Sequence, residues 1–167
     1  MKPLIVSALA WLLLTSGGEK NNRASKQRLT PKTEIMQKEE KQKIRQVLSE
    51  YQKSLNTSNA NLAQSLYTKD GVFMPTEAPS GIGSEGILKS YGYVFSQIRL
   101  NIEFLIEEIE VEGNMAFAVT SSKGTVKILA SGVEAPEANR ELFVFEKVDG
   151  EWKIARYMFN KTEPDNR

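Results

Sequence analysis

Glu141 and Tyr51 are the residues of this chain whose neighbours best suit them to proton chemistry. Strand alternation puts Glu141 on one face with Phe143 and Phe145, while Leu142 and Val144 take the other. A carboxyl on an aromatic face is costly unless it is paired. If those aromatics enclose it, desolvation raises its pKa and makes it a hydrogen-bond donor near neutral pH. The structural alternatives are a partner in Arg140 or Arg156, or a place at an open rim. Tyr51 lies on the apolar stripe of a helix, where a tyrosine serves packing while its hydroxyl finds an acceptor. The 167 residues include no histidine and no cysteine, which removes the usual zinc, copper and haem ligands, the Ser-His and Cys-His nucleophile pairs and every disulfide, and leaves a metal site only to Asp, Glu and carbonyls. Any catalysis must use carboxylates, tyrosine, lysine or arginine. No D-x-D cluster favours calcium or magnesium, and neither a metal nor a cofactor is expected.

The elements that would position these groups follow from periodicity. Ile44, Val47, Leu48, Tyr51 and Leu55 recur at helical spacing, which predicts a core helix ending at residues 56–59, N-T-S-N. A short second helix carries Leu62, Ala63 and Leu66, and a turn at residues 67–71 leads to the apolar strand Val72, Phe73 and Met74. Residues 75–83 read as a loop, and Ser84 is placed to cap a third helix burying Ile87, Leu88, Tyr91 and Phe95.

Strands dominate the second half. Ile102, Phe104 and Ile106 alternate, and Ile109 and Val111 resume one residue out of phase, which predicts a β-bulge at Glu107 and Glu108. Residues 115–120 and 125–129 have strand character, and 133–139 read as a loop. Residues 141–147 and 151–159 flank Val148, Asp149 and Gly150 as a hairpin. In the last strand Trp152, Ile154, Arg156 and Met158 should share one face, and Lys153, Ala155, Tyr157 and Phe159 the other. Helices first and a largely antiparallel sheet after them define an α+β class, with a bent sheet leaving a concave interior. Phe73, Met74, Tyr91, Phe95, Phe143 and Tyr157 are the candidate lining of that interior, with plain core as the alternative.

The N-terminus reads as an address. Lys2 precedes an apolar run over residues 4–14, followed by Ser16, Gly17 and Gly18. That is the layout of a secretory signal over residues 1–18, and the run is well short of the roughly 20 residues a membrane-spanning helix needs. The mature protein is therefore expected to be exported, periplasmic or secreted, without a stable membrane span. Gly17 stands where a lipoprotein box would need cysteine. Residues 19–43 are a polar tether, with Thr30 and Pro31 as a helix start and the pairs Glu34 with Lys38 and Glu39 with Lys43 supporting an exposed helical extension. Residues 44–160 form the domain and 161–167 a polar tail. With 22 Lys and Arg against 21 Asp and Glu, no strong net charge draws the chain to nucleic acid.

Three stretches carry a resemblance: residues 67–75, Y-T-K-D-G-V-F-M-P; residues 81–88, G-I-G-S-E-G-I-L; and residues 145–154, F-E-K-V-D-G-E-W-K-I. In their order the chain resembles the SnoaL-like and DUF4440 members of the nuclear transport factor 2-like superfamily, whose fold is that of ketosteroid isomerase. The resemblance implies a cone of three N-terminal helices packed in a curved, mainly antiparallel sheet, and a homodimer. It also implies roles. Tyr51 falls where ketosteroid isomerase carries its oxyanion-hole tyrosine and Glu141 where it carries a protonated acid. Pro75 occupies the position of the catalytic base and cannot take a proton, while Glu77, two residues on, is a substitute base.

The reading that follows is an exported, cofactor-free domain that binds a small, mainly apolar ligand and pairs through its sheet. The enzyme alternative is isomerisation, cyclisation or dehydration beside a carbonyl, with Glu141 and Tyr51 stabilising an oxyanion. A protein-interaction module is the third reading.

Overall fold

The computed structural model describes residues 31–162. The expected signal segment, the first part of the tether and the end of the polar tail lie outside the described residues.

The first helix, α1 (Pro31–Asn56), buries Ile44, Leu48, Tyr51 and Leu55 along one stripe, while Ile35 and Met36 of its first turns are exposed. The expected helical extension and the first core helix are one continuous element. Glu40 ties its N-terminal half to the sheet: Lys147 Nζ and Trp152 Nε1 each donate to Glu40 Oε2 at 2.6 Å. Asn59 caps α2 (Ala60–Ser65) by accepting from the Leu62 N–H at 2.9 Å. The chain continues as β1 (Tyr67–Met74), β2 (Gly81–Ile82), α3 (Gly83–Gln97), β3 (Ile98–Glu112), β4 (Met115–Ile128), β5 (Glu134–Val148) and β6 (Glu151–Lys161). Ser84 does not cap α3. Ile82 holds the cap position without a side-chain hydrogen bond, because β2 runs straight into the helix through Gly83 at φ +66°.

One six-stranded sheet has the order β2-β1-β6-β5-β4-β3, with β1 parallel to β6 and the other pairs antiparallel. The bulge in β3 is present: Ile106 faces Thr120 and Glu108 faces Val119, leaving Glu107 as the extra residue. Between β5 and β6, Asp149 at φ +51° and Gly150 at φ +85° make the two-residue turn.

Two further expectations need correction. Residues 133–139 are not a loop, since β5 begins at Glu134 and its first residues pair with β4, Pro136 opposite Thr125. Their loop-like composition reflects a local edge, because β6 reaches only as far back as Asn139. The strict alternation assigned to the last strand also fails. Val144 pairs with Arg156 and Phe145 with Ile154, so Ala155 is inserted and the faces exchange. Trp152, Ile154, Ala155 and Tyr157 are buried, while Met158 is exposed.

The concave face changes character along its length. At the narrow end it presents Phe145, Ala116, Ala118 and Ile109, all buried. Toward the mouth the same columns continue as Thr120 and Ser122 on β4 and as Glu141, Asn139 and Glu137 on β5, again all buried. No described helix is long and apolar enough to cross a membrane.

Candidate binding site

Aromatic residues fill the interior of the cone. Tyr51 of α1 makes edge contacts with Tyr67, Tyr91, Phe143 and Tyr157 and stacks on Phe104, with centroids 5.2–6.4 Å apart. The Tyr91 hydroxyl lies 2.5 Å from that of Tyr51 and 2.8 Å from that of Tyr67, so three phenols share one hydrogen-bonded line. Burial pushes all three, and Tyr157 with them, well above the usual tyrosine range. They remain protonated and neutral throughout the physiological range.

Glu141 lies where alternation placed it, on the inner face with Phe143 and Phe145, and it is 4% exposed. Neither Arg140 nor Arg156 reaches it. Its Oε2 accepts from Thr120 Oγ1 at 2.6 Å and its Oε1 from Ser122 Oγ at 2.5 Å. Burial raises its pKa above the ordinary 4.5; the two hydroxyl bonds work against that rise, and the charge of Glu107 adds to it. Among the described residues no hydrogen bond joins Tyr51 to Glu141. Tyr157 stands between them, its ring 5.2 Å from that of Tyr51 and its phenol within the field of the Glu141 carboxylate.

The polar chain continues past Glu141. Asn139 Nδ2 donates to Glu137 Oε1 at 3.1 Å and lies 3.5 Å from Ser122 Oγ, and Lys161 Nζ meets Glu137 Oε2 at 3.1 Å. Thr120, Ser122, Asn139 and Glu137 were missed in the sequence. The signal was there in β4, where Ala116, Ala118, Thr120 and Ser122 alternate on one face, but their register opposite Glu141 comes only from pairing.

Among the described residues one open space is a groove of about 1010 Å³ at the mouth of the cone. Its walls are the loop after β1, the outward side of α3 and the ends of β4, β5 and β6, with Phe73, Val94, Val126 and Phe159 as apolar surface and Glu137 and Lys161 at the polar end. Gly81 and Gly86 let loop and helix meet there: a Cβ on Gly81 would lie 2.6 Å from Ser90 Oγ and 2.9 Å from the Gly86 carbonyl. Thr76 Oγ1 anchors the loop by donating to the Phe159 carbonyl at 2.7 Å.

Of the candidate lining residues only Phe73 reaches this groove. Tyr91, Phe95, Phe143 and Tyr157 are buried among other rings, Met74 is half-buried beyond the groove, and Tyr51 and Glu141 are not part of its wall. Aromatic residues large enough to line a cavity are large enough to fill it. Pro75 and Glu77 both line the groove, Glu77 with φ +57°. Asp70 accepts from Thr68 Oγ1 at 3.0 Å inside β1, where residues 67–71 are an irregular part of the strand and not the expected turn.

This fold, with its bent sheet and polar mouth, has known relatives. The chain belongs to the SnoaL-like domain family, whose model matches residues 44–159. Among solved structures it is similar to a ketosteroid isomerase-like protein from Erwinia carotovora atroseptica, with 29% identity and a TM-score of 0.70 over 72% of this chain and 95% of the other. It is also similar to a nuclear transport factor 2-like superfamily protein from Salmonella enterica serovar Typhimurium, with 20% identity and a TM-score of 0.66 over 75% and 93%. A hexachlorocyclohexane dehydrochlorinase shares the fold at 12% identity and a TM-score of 0.65 over 74% and 86%. No curated protein matches.

Proposed function

We propose that this protein is an exported small-molecule-binding member of its family, taking a ligand with an apolar body into the groove at the mouth of the cone. The observation that carries the reading is the groove itself, of the order of size that holds small organic ligands, with apolar walls and a few convergent polar groups at one end. Glu137 and Lys161, the polar groups at that end, are paired with one another, and Asn139 behind the wall also donates to Glu137, so they are held in place before a ligand arrives. Export rests on the signal-like layout of residues 1–18.

Pairing as a homodimer belongs to the same reading. Phe117, Leu142 and Met158 are exposed on the convex face, and Val119, Leu142 and Met158 lie side by side across β4, β5 and β6. A contiguous apolar patch of this kind marks an interface.

One observation favours catalysis as a second reading: Glu77 and Glu137 both face the groove, so a base and a second carboxylate are available to a bound substrate. The dehydrochlorinase among the fold's relatives makes elimination a reaction to assay.

Calorimetric titration of the full-length protein with apolar alcohols, ketones, acids and amines tests the binding reading. Saturable one-site heats from at least one compound support it, and none across the panel overturns it.

A further inference from the structure

The ion pair at the polar end of the groove is lopsided. Lys161 Nζ donates to Glu137 Oε2 at 3.1 Å, and the lysine side chain is 50% exposed where that of the glutamate is 9% exposed. Both oxygens of Glu137 are engaged, because Asn139 Nδ2 donates to Oε1 at 3.1 Å from behind the wall. An ammonium has three N–H donors. Lys161 Nζ directs one of them at Glu137 and makes no other hydrogen bond among the described residues, so the rest stay available on a residue of the groove wall. A head group arriving at this end therefore meets the cation of the pair, with the anion withdrawn beneath it. Phe159 precedes Lys161 by two residues on β6 and lines the same groove, with Phe73 stacked on it at 6.3 Å between centroids. Apolar surface for a ligand's body thus adjoins the ammonium that takes its head. Lys89 of α3 is a second cation in the wall, and it makes no ion pair among the described residues.

We infer that the groove selects apolar carboxylic acids, bound as carboxylates, over alcohols and amines with the same body, and that Lys161 is the residue that holds the carboxylate. This rests on the binding reading above and names the ligand class for it. A carboxylate adds the attraction of opposite charges to the hydrogen bond, an alcohol offers the ammonium a neutral oxygen, and a protonated amine is repelled by it. The two carboxylates of the wall do not reverse the preference. Glu137 is nearly buried and already paired with Lys161, and Glu77 is exposed on the loop, where water screens its repulsion of an acid.

The test uses one ring system with three heads: 2-naphthoate, 2-naphthalenemethanol and 2-naphthalenemethylamine, each titrated into the full-length protein at neutral pH. The carboxylate should bind about ten-fold tighter than the alcohol, and the amine should bind most weakly. Lys161→Met should cost the carboxylate about ten-fold and bring it level with the alcohol. Glu137→Gln keeps an acceptor for Lys161 and removes the counter-charge, so it should act in the opposite direction and tighten the carboxylate. Equal or tighter binding of the alcohol or the amine overturns the inference while the binding reading stands. If none of the three binds, the inference falls, and the binding reading falls with it only when the wider panel above is silent too. A carboxylate preference that persists in Lys161→Met removes the role of Lys161. The ranking is read in the unaltered protein, so it decides even where a variant does not fold.

Discussion

Ser122 Oγ donates to Glu141 Oε1 at 2.5 Å, across β4 and β5, and makes the buried carboxyl of Glu141 the centre of a hydroxyl-lined pair of strands. Because the folded protein raises the pKa of Glu141, chiefly through burial, it holds that proton more tightly than the unfolded chain does. This group therefore favours the fold at low pH, and its contribution falls as pH rises from the ordinary 4.5 through the raised value. Glu141→Gln removes that dependence, since rotating hydroxyls at 120 and 122 can meet an amide. The difference in melting temperature between variant and parent should move in favour of the variant as pH increases from 4 to 8. A difference that stays constant would contradict the buried, raised carboxyl.

Glu40 behaves in the opposite sense. Its hydrogen bonds to Lys147 and Lys43 hold its pKa down at about 2, so its stabilisation is present above the unfolded value and is lost as pH falls through about 2. Glu40→Gln should cost roughly 1 kcal/mol at pH 7, because two charge-assisted bonds on a partly exposed group are weakened. Thermal melts of variant and parent should converge as pH approaches 2.

Tyr51→Phe removes one hydroxyl from the line of three and leaves Tyr91 bonded to Tyr67. The expected cost is about 1 kcal/mol in denaturant unfolding, with little change in ligand affinity because Tyr51 does not face the groove. A large loss of affinity at unchanged stability would put the ligand in the aromatic interior.

Leu142→Lys places a charge in the middle of the exposed convex patch. Sedimentation velocity should show a dimer for the parent and a monomer for the variant, with domain stability changed by no more than about 0.5 kcal/mol at this exposed position. A parent that sediments as a monomer at every concentration would end the dimer reading.

The parts of this molecule legible in the sequence were those set by local period and turn chemistry. The slip between Ile106 and Ile109 announced the β3 bulge, Asp149 and Gly150 the last hairpin, and the spacing of Glu141, Phe143 and Phe145 their shared burial. What was hidden depended on pairing between distant segments. The insertion of Ala155 leaves no mark in a strand that reads as regular alternation, yet it moves Tyr157 and Phe159 inward. Residues 133–139 carry proline, alanine and asparagine, and only their partners on β4 make them a strand. The candidate site divided the same way. Apolar spacing marked Tyr91, Phe95, Phe143 and Tyr157 as inward-facing, but whether inward meant lining or filling was decided by volume, and here they fill.

In the binding reading a ligand occupies the groove at the mouth and not the aromatic interior. It is tested most directly by comparing ligand-induced melting shifts in the parent, in Val94→Trp, which fills the groove, and in Tyr51→Phe, which leaves it open. A compound at 100 times its Kd adds about 2.7 kcal/mol, or roughly 5–10 °C in a domain of this size. This shift should survive in Tyr51→Phe and disappear in Val94→Trp. A shift kept in Val94→Trp and lost in Tyr51→Phe would contradict it.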